Sequence, residues 1–286
     1  MIVITGANGQ LGRLVIDQLL QRGVAAGQIV AAVRSPAKAA DLTALGVQLR
    51  EADYNRPETL TAAFAGATQL LLISSSEVGQ RLPQHRAVIE AAQRAGVAHL
   101  VYTSLLHADR SPLGLAGEHL ATERLIAASG LPHTLLRNGW YTENYLASVP
   151  VALQHGAFIG SAGEGRIASA PRVDYAAAAA TVLMRPVAPR TVLELAGDGS
   201  YTLAELAAEI GRRSGREIPY VNLPQAEFEG ALKGAGLPGP LAELLADSDV
   251  GASQGGLFDD ARQLSALIGR PTEPMADSLA RALAAG

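Results

Sequence analysis

The chain has no cysteine, and Lys38 and Lys233 are its only lysines. Without thiols there can be no disulfide framework, thiolate metal site or redox-active cysteine pair, so any redox chemistry needs a bound cofactor. With so few amines a Schiff-base mechanism is disfavoured, while the arginines that carry the positive charge suit fixed recognition of phosphate. The six histidines are scattered with no HxxxH or HExxH spacing, which argues against a protein-bound metal. Basic excess is absent: 23 Lys+Arg stand against 27 Asp+Glu, net charge −4, and the cations are dispersed. Nucleic-acid binding is therefore disfavoured, because phosphate-backbone affinity needs a concentrated cationic face. Although 48% of residues are apolar, no uninterrupted apolar run reaches the roughly 18 residues of a membrane span. Met1 to Thr5 leads directly into a glycine-rich turn, without the basic and apolar segments of a secretory signal. The expected location is the cytoplasm.

What the 286 residues do contain is a repeating strand-then-helix pattern. Ile2-Val3-Ile4-Thr5 is a β-branched run, and Leu11 to Leu20 places apolar residues at helical spacing. The same alternation recurs as Ile29–Val33 with Pro36–Leu45, Val47–Arg50 with Pro57–Phe64, and Leu70–Ile73 with Arg81–Ala95. It continues as His99–Thr103 with Leu115–Ala128, and closes on His133–Arg137. Nearly continuous apolar strands alternating with helices predict an α/β fold, a Rossmann-type doubly wound parallel sheet covered on both faces. Beyond about residue 150 the alternation gives way to Gly- and Pro-punctuated segments. The expected organisation is a dinucleotide-binding domain over 1–150 and a smaller mixed C-terminal substrate lobe over 151–286. Within the lobe, the Ala-rich Asp174–Met184 should pack back on the sheet, and Thr202–Ser214 should be an amphipathic helix capped by Thr202 or Ser200. Ala226–Ala235 and Leu241–Ala246 read as shorter helices. The lobe should wall a cleft over the carboxyl ends of the strands, where open α/β sheets bind ligands.

The strongest local signal is Gly6-Ala7-Asn8-Gly9-Gln10-Leu11-Gly12, a GxxGxxG turn between the first strand and the first helix. Gly6 permits the tight turn, Gly9 lets backbone approach a pyrophosphate, and Gly12 lets helix and strand pack closely, while the helix start offers amide donors. An NAD site usually places a carboxylate about 20 residues further on, at the tip of the second strand. This chain has Arg34 there, and a guanidinium clamps a 2′-phosphate that a carboxylate would repel. NADP(H) is therefore the expected cofactor, with Lys38 as a second cation. Asp53 is placed to meet the adenine end or to cap a helix. Ser74, Ser75 and Ser76 follow the fourth strand, where the ribose and pyrophosphate would cross the sheet.

Taken together, Thr5–Gly12, Arg34, Leu71–Glu77, Tyr102-Thr103-Ser104, Arg137–Asn144 and Asp247–Phe258 resemble the NmrA-like branch of the atypical short-chain dehydrogenases. The resemblance runs over nearly the whole chain. It implies cofactor contacts on Gly6 to Leu11, Arg34, Ser74 to Ser76, Asn138, Gly139, Trp140, Tyr141, Thr142, Glu143 and Arg172, and NADPH-dependent reduction of small quinones. One departure from the wider superfamily matters. Ordinary short-chain dehydrogenases carry Tyr-x-x-x-Lys on the helix after the fifth strand, whereas this chain has His119 and Glu123 at that spacing, and Ser104 alone survives. Reducing an isolated ketone makes a strongly basic alkoxide and needs a positioned acid. A quinone accepts hydride to give a delocalised phenolate, so the missing pair leaves quinone reduction open.

For the acceptor, Trp140 and Tyr141 are the candidates for a stacking wall, or else pack as interface core. Asn144 could hydrogen-bond a quinone oxygen or satisfy a loop. His107 could supply a proton, as could His119, or either could be a surface histidine. The expected partner is a small planar quinone, with no nucleic acid and no membrane, and the reading leaves room for a homodimer. Two rivals stand beside it: an NADP-binding redox sensor without turnover, and a reductase of other flat conjugated acceptors such as triphenylmethane dyes.

Overall fold

The computed structural model describes residues 1–185, 188 and 190–285. Its strands are β1 (Ile2–Thr5), β2 (Ile29–Val33), β3 (Gln48–Glu51), β4 (Gln69–Leu72), β5 (His99–Leu105), β6 (His133–Asn138), β7 (Phe158–Gly160), β8 (Thr191–Leu195) and β9 (Tyr220–Asn222). The helices are α1 (Gln10–Gln21), α2 (Pro57–Ala63), α3 (Arg81–Arg94), α4 (Ala116–Ser129), α5 (Thr142–Leu146), α6 (Val149–His155) and α7 (Arg172–Met184). They continue as α8 (Leu203–Ser214), α9 (Gln225–Gly234), α10 (Gly239–Ser253), α11 (Gln263–Ile268) and α12 (Met275–Ala285).

Two compact units emerge. The first takes residues 1–105, 117–138 and 172–193, and the second takes 106–116, 139–171 and 194–286. The first unit is built on a sheet in the order β3-β2-β1-β4-β5-β6-β8, whose pairings from β3 through β6 are all parallel. Its first six strands follow the 3-2-1-4-5-6 order of dinucleotide-binding sheets. Every residue of β2, β5 and β6 is buried, as strands covered on both faces must be. α1 buries Leu11, Val15, Ile16 and Leu19. Against it packs α7, whose buried Ala176–Ala180 run brings the two helices close, so the Ala-rich segment does return to the sheet unit. Arg22 Nη1 donates to Thr181 Oγ1 across that contact at 2.5 Å.

The structure adds elements that the periodicity did not reveal. β8 extends the sheet by a seventh strand, and β7 pairs with β9 in a separate parallel ribbon of the second unit. Three-residue strands are too short to display an alternation. Residues 36–45 form a 3-10 stretch broken at Ala39, not the regular helix their spacing suggested. In the second unit, α8 begins at a full capping box: Thr202 Oγ1 accepts from Glu205 N, and a Glu205 carboxylate oxygen accepts from Thr202 N. α10 runs well beyond the short helix read at 241–246.

Candidate active site

Gly6 sits at φ +59, a left-handed conformation that β-carbons disfavour, and starts the turn immediately after β1. Gly9 N donates back to Gly6 O at 2.9 Å. A Cβ on Gly12 would lie 2.6 Å from Gly6 O and 2.7 Å from Ala7 Cα, both backbone atoms, so only glycine lets α1 start this close to β1. Gly9 caps α1 without a side-chain hydrogen bond, and the first turn carries no acidic residue. Its amides and dipole are therefore directed at whatever anion lies ahead, which is the cradle a dinucleotide diphosphate requires. Arg13, unnoticed in the sequence, fastens the turn: its guanidinium donates to Asn8 O and Oδ1 and to both oxygens of Asp41.

Arg34 stands one residue past β2, 71% exposed, with Nη1 3.0 Å from Glu77 Oε1. Glu77 is held from behind by buried Gln84, whose Nε2 donates to Oε2 at 2.8 Å. Lys38 is exposed, and its carbonyl accepts from Asn8 Nδ2 at 3.4 Å. Ser74–Ser76 follow β4, the neighbour of β1, so the glycine turn, Arg34 and the serines occupy the carboxyl ends of three adjacent strands. Asp53 instead organises its own turn: Oδ1 accepts from Asn55 N at 3.0 Å, and its amide donates to Thr59 Oγ1.

The superfamily's acid–base position is rebuilt as a closed network. Glu123 accepts from Arg137 Nε at 2.9 Å, from Arg137 Nη2 at 2.7 Å and from Ser104 Oγ at 2.6 Å, all within the buried interior. His119 is likewise buried, not at the surface, with Nδ1 2.8 Å from the Tyr102 hydroxyl. Burial, aided by the Arg81 charge, pushes it down to about 3, which keeps it neutral and unsuited to donate a proton at neutral pH.

In the second unit the stretch after β6 is pinned to residues 169–170. Ala170 N donates to Trp140 O, Thr142 N donates to Ala170 O, and Thr142 Oγ1 lies 2.8 Å from Ser169 Oγ. Gly139 N donates to Leu195 O at 2.7 Å. Trp140 and Thr142 are buried, while Tyr141, Glu143, Asn144 and, at the start of α7, Arg172 are part-exposed. Asn138 ends β6 in the first unit. His107 is buried as well, at φ +52, where a non-glycine residue is strained. Its Nε2 lies 3.2 Å from Asp259 Oδ2, and its Nδ1 lies 3.2 Å from Arg110 Nη2 and 3.5 Å from Glu194 Oε2. Together with Arg110, Phe258 and Asp259 it lines a cavity of about 390 Å³, which Trp140, Tyr141 and Asn144 do not line.

The Asp247–Phe258 stretch acts as scaffold. Asp247 Oδ2 accepts from Gly114 N at 2.8 Å, and Asp249 accepts from Ser161 N at 2.8 Å and from the Tyr145 hydroxyl at 3.1 Å. Burial pushes the Asp249 carboxyl up to about 6 despite those hydrogen bonds.

A model of NAD(P)H-binding proteins matches residues 6–186. The chain belongs to the NAD(P)H-binding family. Among its relatives, Quinone oxidoreductase 2 of Escherichia coli (strain K12) is 61% identical over 98% of this chain and 97% of its own length. A crystal structure of NADPH-dependent quinone oxidoreductase from E. coli, complexed with NADPH, superposes with a TM-score of 0.96 at 60% identity, covering 99% of this chain and 100% of that one. Triphenylmethane reductase of Citrobacter sp., complexed with NADP(H), gives a TM-score of 0.94 at 37% identity over 99% and 100% of the two chains. The Rossmann-type architecture read from the alternation is thus that of NAD(P)-binding reductases. Arg81 and His85 were not singled out in the sequence, because contacts between a strand-end loop and a later helix leave no periodic signal.

Proposed function

We propose that this family member is an NADPH-dependent oxidoreductase that reduces small quinones. The observation that carries the reading is the 61% identity to a quinone oxidoreductase, which extends through the second unit as well as the dinucleotide-binding one. The glycine cradle supports NADPH, since it brings the start of α1 close to the end of β1, where a helix N-terminus offers amide donors to a diphosphate. Gly6 to Gly12 would hold the diphosphate, Arg34 the 2′-phosphate, and Ser74 to Ser76 the ribose and pyrophosphate. Asn138 to Glu143 and Arg172 complete the set by resemblance. When bound, the nicotinamide supplies the hydride.

The residues of this chain bind, orient and handle protons. Part-exposed Tyr141 offers a flat surface for a planar acceptor and Asn144 an amide for its oxygen, while Trp140 is buried as the core alternative anticipated. His107 is the candidate proton source that the sequence offers, but with Arg110 donating to Nδ1 its Nε2 proton faces Asp259 at a cavity that Trp140, Tyr141 and Asn144 do not line, so its role rests on the substitution below. Strong acid catalysis is unnecessary because the reduced quinone's charge is delocalised, which suits a site where Glu123 is committed to Arg137 and Ser104. The partner is a small planar quinone, and a homodimer is compatible with this reading. Among the described residues, no helix is long and apolar enough to cross a membrane, and the cytoplasm is the proposed location.

The test is direct. Purified protein with NADPH and 1,4-benzoquinone should lose the near-ultraviolet absorbance of the reduced nicotinamide only when quinone is present. Tight NADPH binding without turnover would transfer the protein to the sensor class. The likeness to triphenylmethane reductase favours a second acceptor class, and competition between dye and quinone in one assay ranks the two. Replacing His107 with alanine should lower turnover more than NADPH affinity, and unchanged turnover would remove it from the proton path.

A further inference from the structure

Ser75 is gripped on both sides of its backbone by groups from α3. Its amide donates to His85 Nε2 at 2.9 Å, and its carbonyl accepts from Arg81 Nε at 2.6 Å. The neighbouring groups are tied as well: Ser74 N donates to Thr103 Oγ1 at 2.8 Å, and Ser75 Oγ accepts from Glu77 N at 3.1 Å. An imidazole nitrogen can accept only when it is bare, so the His85 proton must sit on Nδ1. The other end of the ring demands the same. Nδ1 lies 3.0 Å from Thr122 Oγ1, and the Thr122 hydroxyl spends its own proton on Glu118 O at 2.9 Å, leaving its oxygen to accept from His85. One tautomer satisfies both ends.

The surroundings hold that tautomer. His85 is fully buried, with the Tyr102 ring edge-on at 5.5 Å and the Tyr54 ring at 6.3 Å. Burial and the Arg81 charge push it down to about 3, so the imidazole stays neutral. Arg81 is itself nine-tenths buried, with Glu118 Oε2 3.5 Å away as its counter-charge. The chain of contacts then runs outward from Thr122 on α4 through His85, Ser75 and Glu77 to the exposed guanidinium of Arg34.

We infer that His85 is a positioning residue for cofactor binding: as a neutral, Nδ1-protonated acceptor it fixes the Ser75 backbone and thereby sets the Ser74–Ser76 stretch for the dinucleotide. The inference rests on the reading that this stretch touches the cofactor. The amides of Ser74, Ser75 and Glu77 are committed, and exposed Ser76 is the residue of this stretch whose amide has no hydrogen-bond partner among the described residues.

Calorimetric titration with NADPH tests the role. His85→Phe keeps the ring's bulk and removes the acceptor, and should raise the NADPH Kd about tenfold, the equivalent of one lost hydrogen bond. His85→Gln, which returns an acceptor oxygen near the Nε2 position, should restore affinity to within about threefold. Turnover at saturating NADPH should stay near wild type while KM rises, a split that general destabilisation would not produce. Equal affinities for the Phe and Gln variants would overturn the inference. If the Phe variant does not fold, Thr122→Val serves instead. It removes the acceptor for Nδ1–H, freeing the tautomer that opposes Ser75 N–H, and an unchanged Kd would overturn the inference. Ser76→Trp separates the two layers of argument, because it obstructs the stretch from outside. If it leaves NADPH binding intact, the stretch is not a cofactor contact and both readings fall. If it weakens binding while the His85 and Thr122 variants do not, only the positioning role is lost.

Discussion

Replacing Arg34 with aspartate should cost the protein NADPH far more than NADH. The guanidinium is 71% exposed at the tip of β2, so its charge-assisted hydrogen bonds act in solvent and belong at the lower end of their range. Such bonds contribute about 1.5–3 kcal/mol, and reversing the charge adds roughly 1 kcal/mol of repulsion at water-like dielectric. Taking the low end of the first, the sum is about 2.5 kcal/mol, a loss of roughly 70-fold in NADPH affinity. NADH, lacking the 2′-phosphate, should change by no more than about threefold. Glu77 sharpens the case, because its carboxylate lies 3.0 Å from Arg34 Nη1 and offsets part of the positive field. Glu77→Gln should therefore tighten NADPH by about threefold to fivefold at low salt, and the gain should shrink as salt screens the exposed charges. Titrating both cofactors into wild type and the two variants, at two ionic strengths, gives every quantity. Equal losses of NADPH and NADH in Arg34→Asp would remove Arg34 from the phosphate site.

Gly12→Ala should abolish measurable NADPH binding and lower the unfolding midpoint, since its Cβ would be driven to 2.6 Å from Gly6 O; normal binding by calorimetry would count against the cradle. Glu123→Gln should cost about 3–5 kcal/mol in urea unfolding, because it removes the carboxylate that balances buried Arg137; a loss below about 1 kcal/mol would mean that the network is dispensable. Asp249 gives a pH test with a definite sign. Its folded pKa, about 6, lies above the ordinary 3.8, so the folded state binds the proton more tightly. Its contribution is fully favourable below pH 3.8 and is lost as pH rises through about 6, an effect on the order of 3 kcal/mol. Asp249→Asn should therefore gain on wild type between pH 4 and pH 7 in unfolding titrations, and a flat difference would contradict the buried carboxyl's role.

The alternation of apolar strands and amphipathic helices, with the glycine turn after β1, was enough to specify the sheet unit and its cofactor class, because both are local. A strand buried on two faces must be continuously apolar, and a turn that approaches a diphosphate must lack β-carbons. The place of Arg34 at the tip of β2 was legible for the same reason, being fixed by its distance from that turn along the chain. Only the tertiary structure could decide what the histidines do. His119 and Glu123 marked a missing Tyr/Lys pair, yet that Glu123 closes on Arg137 and Ser104, that His119 is buried neutral against Tyr102, and that His85 accepts from Ser75 depends on strands and helices brought together across long sequence separations. Short elements such as β7 and β9 were decided there too, since three residues gain stability only from the partner they pair with.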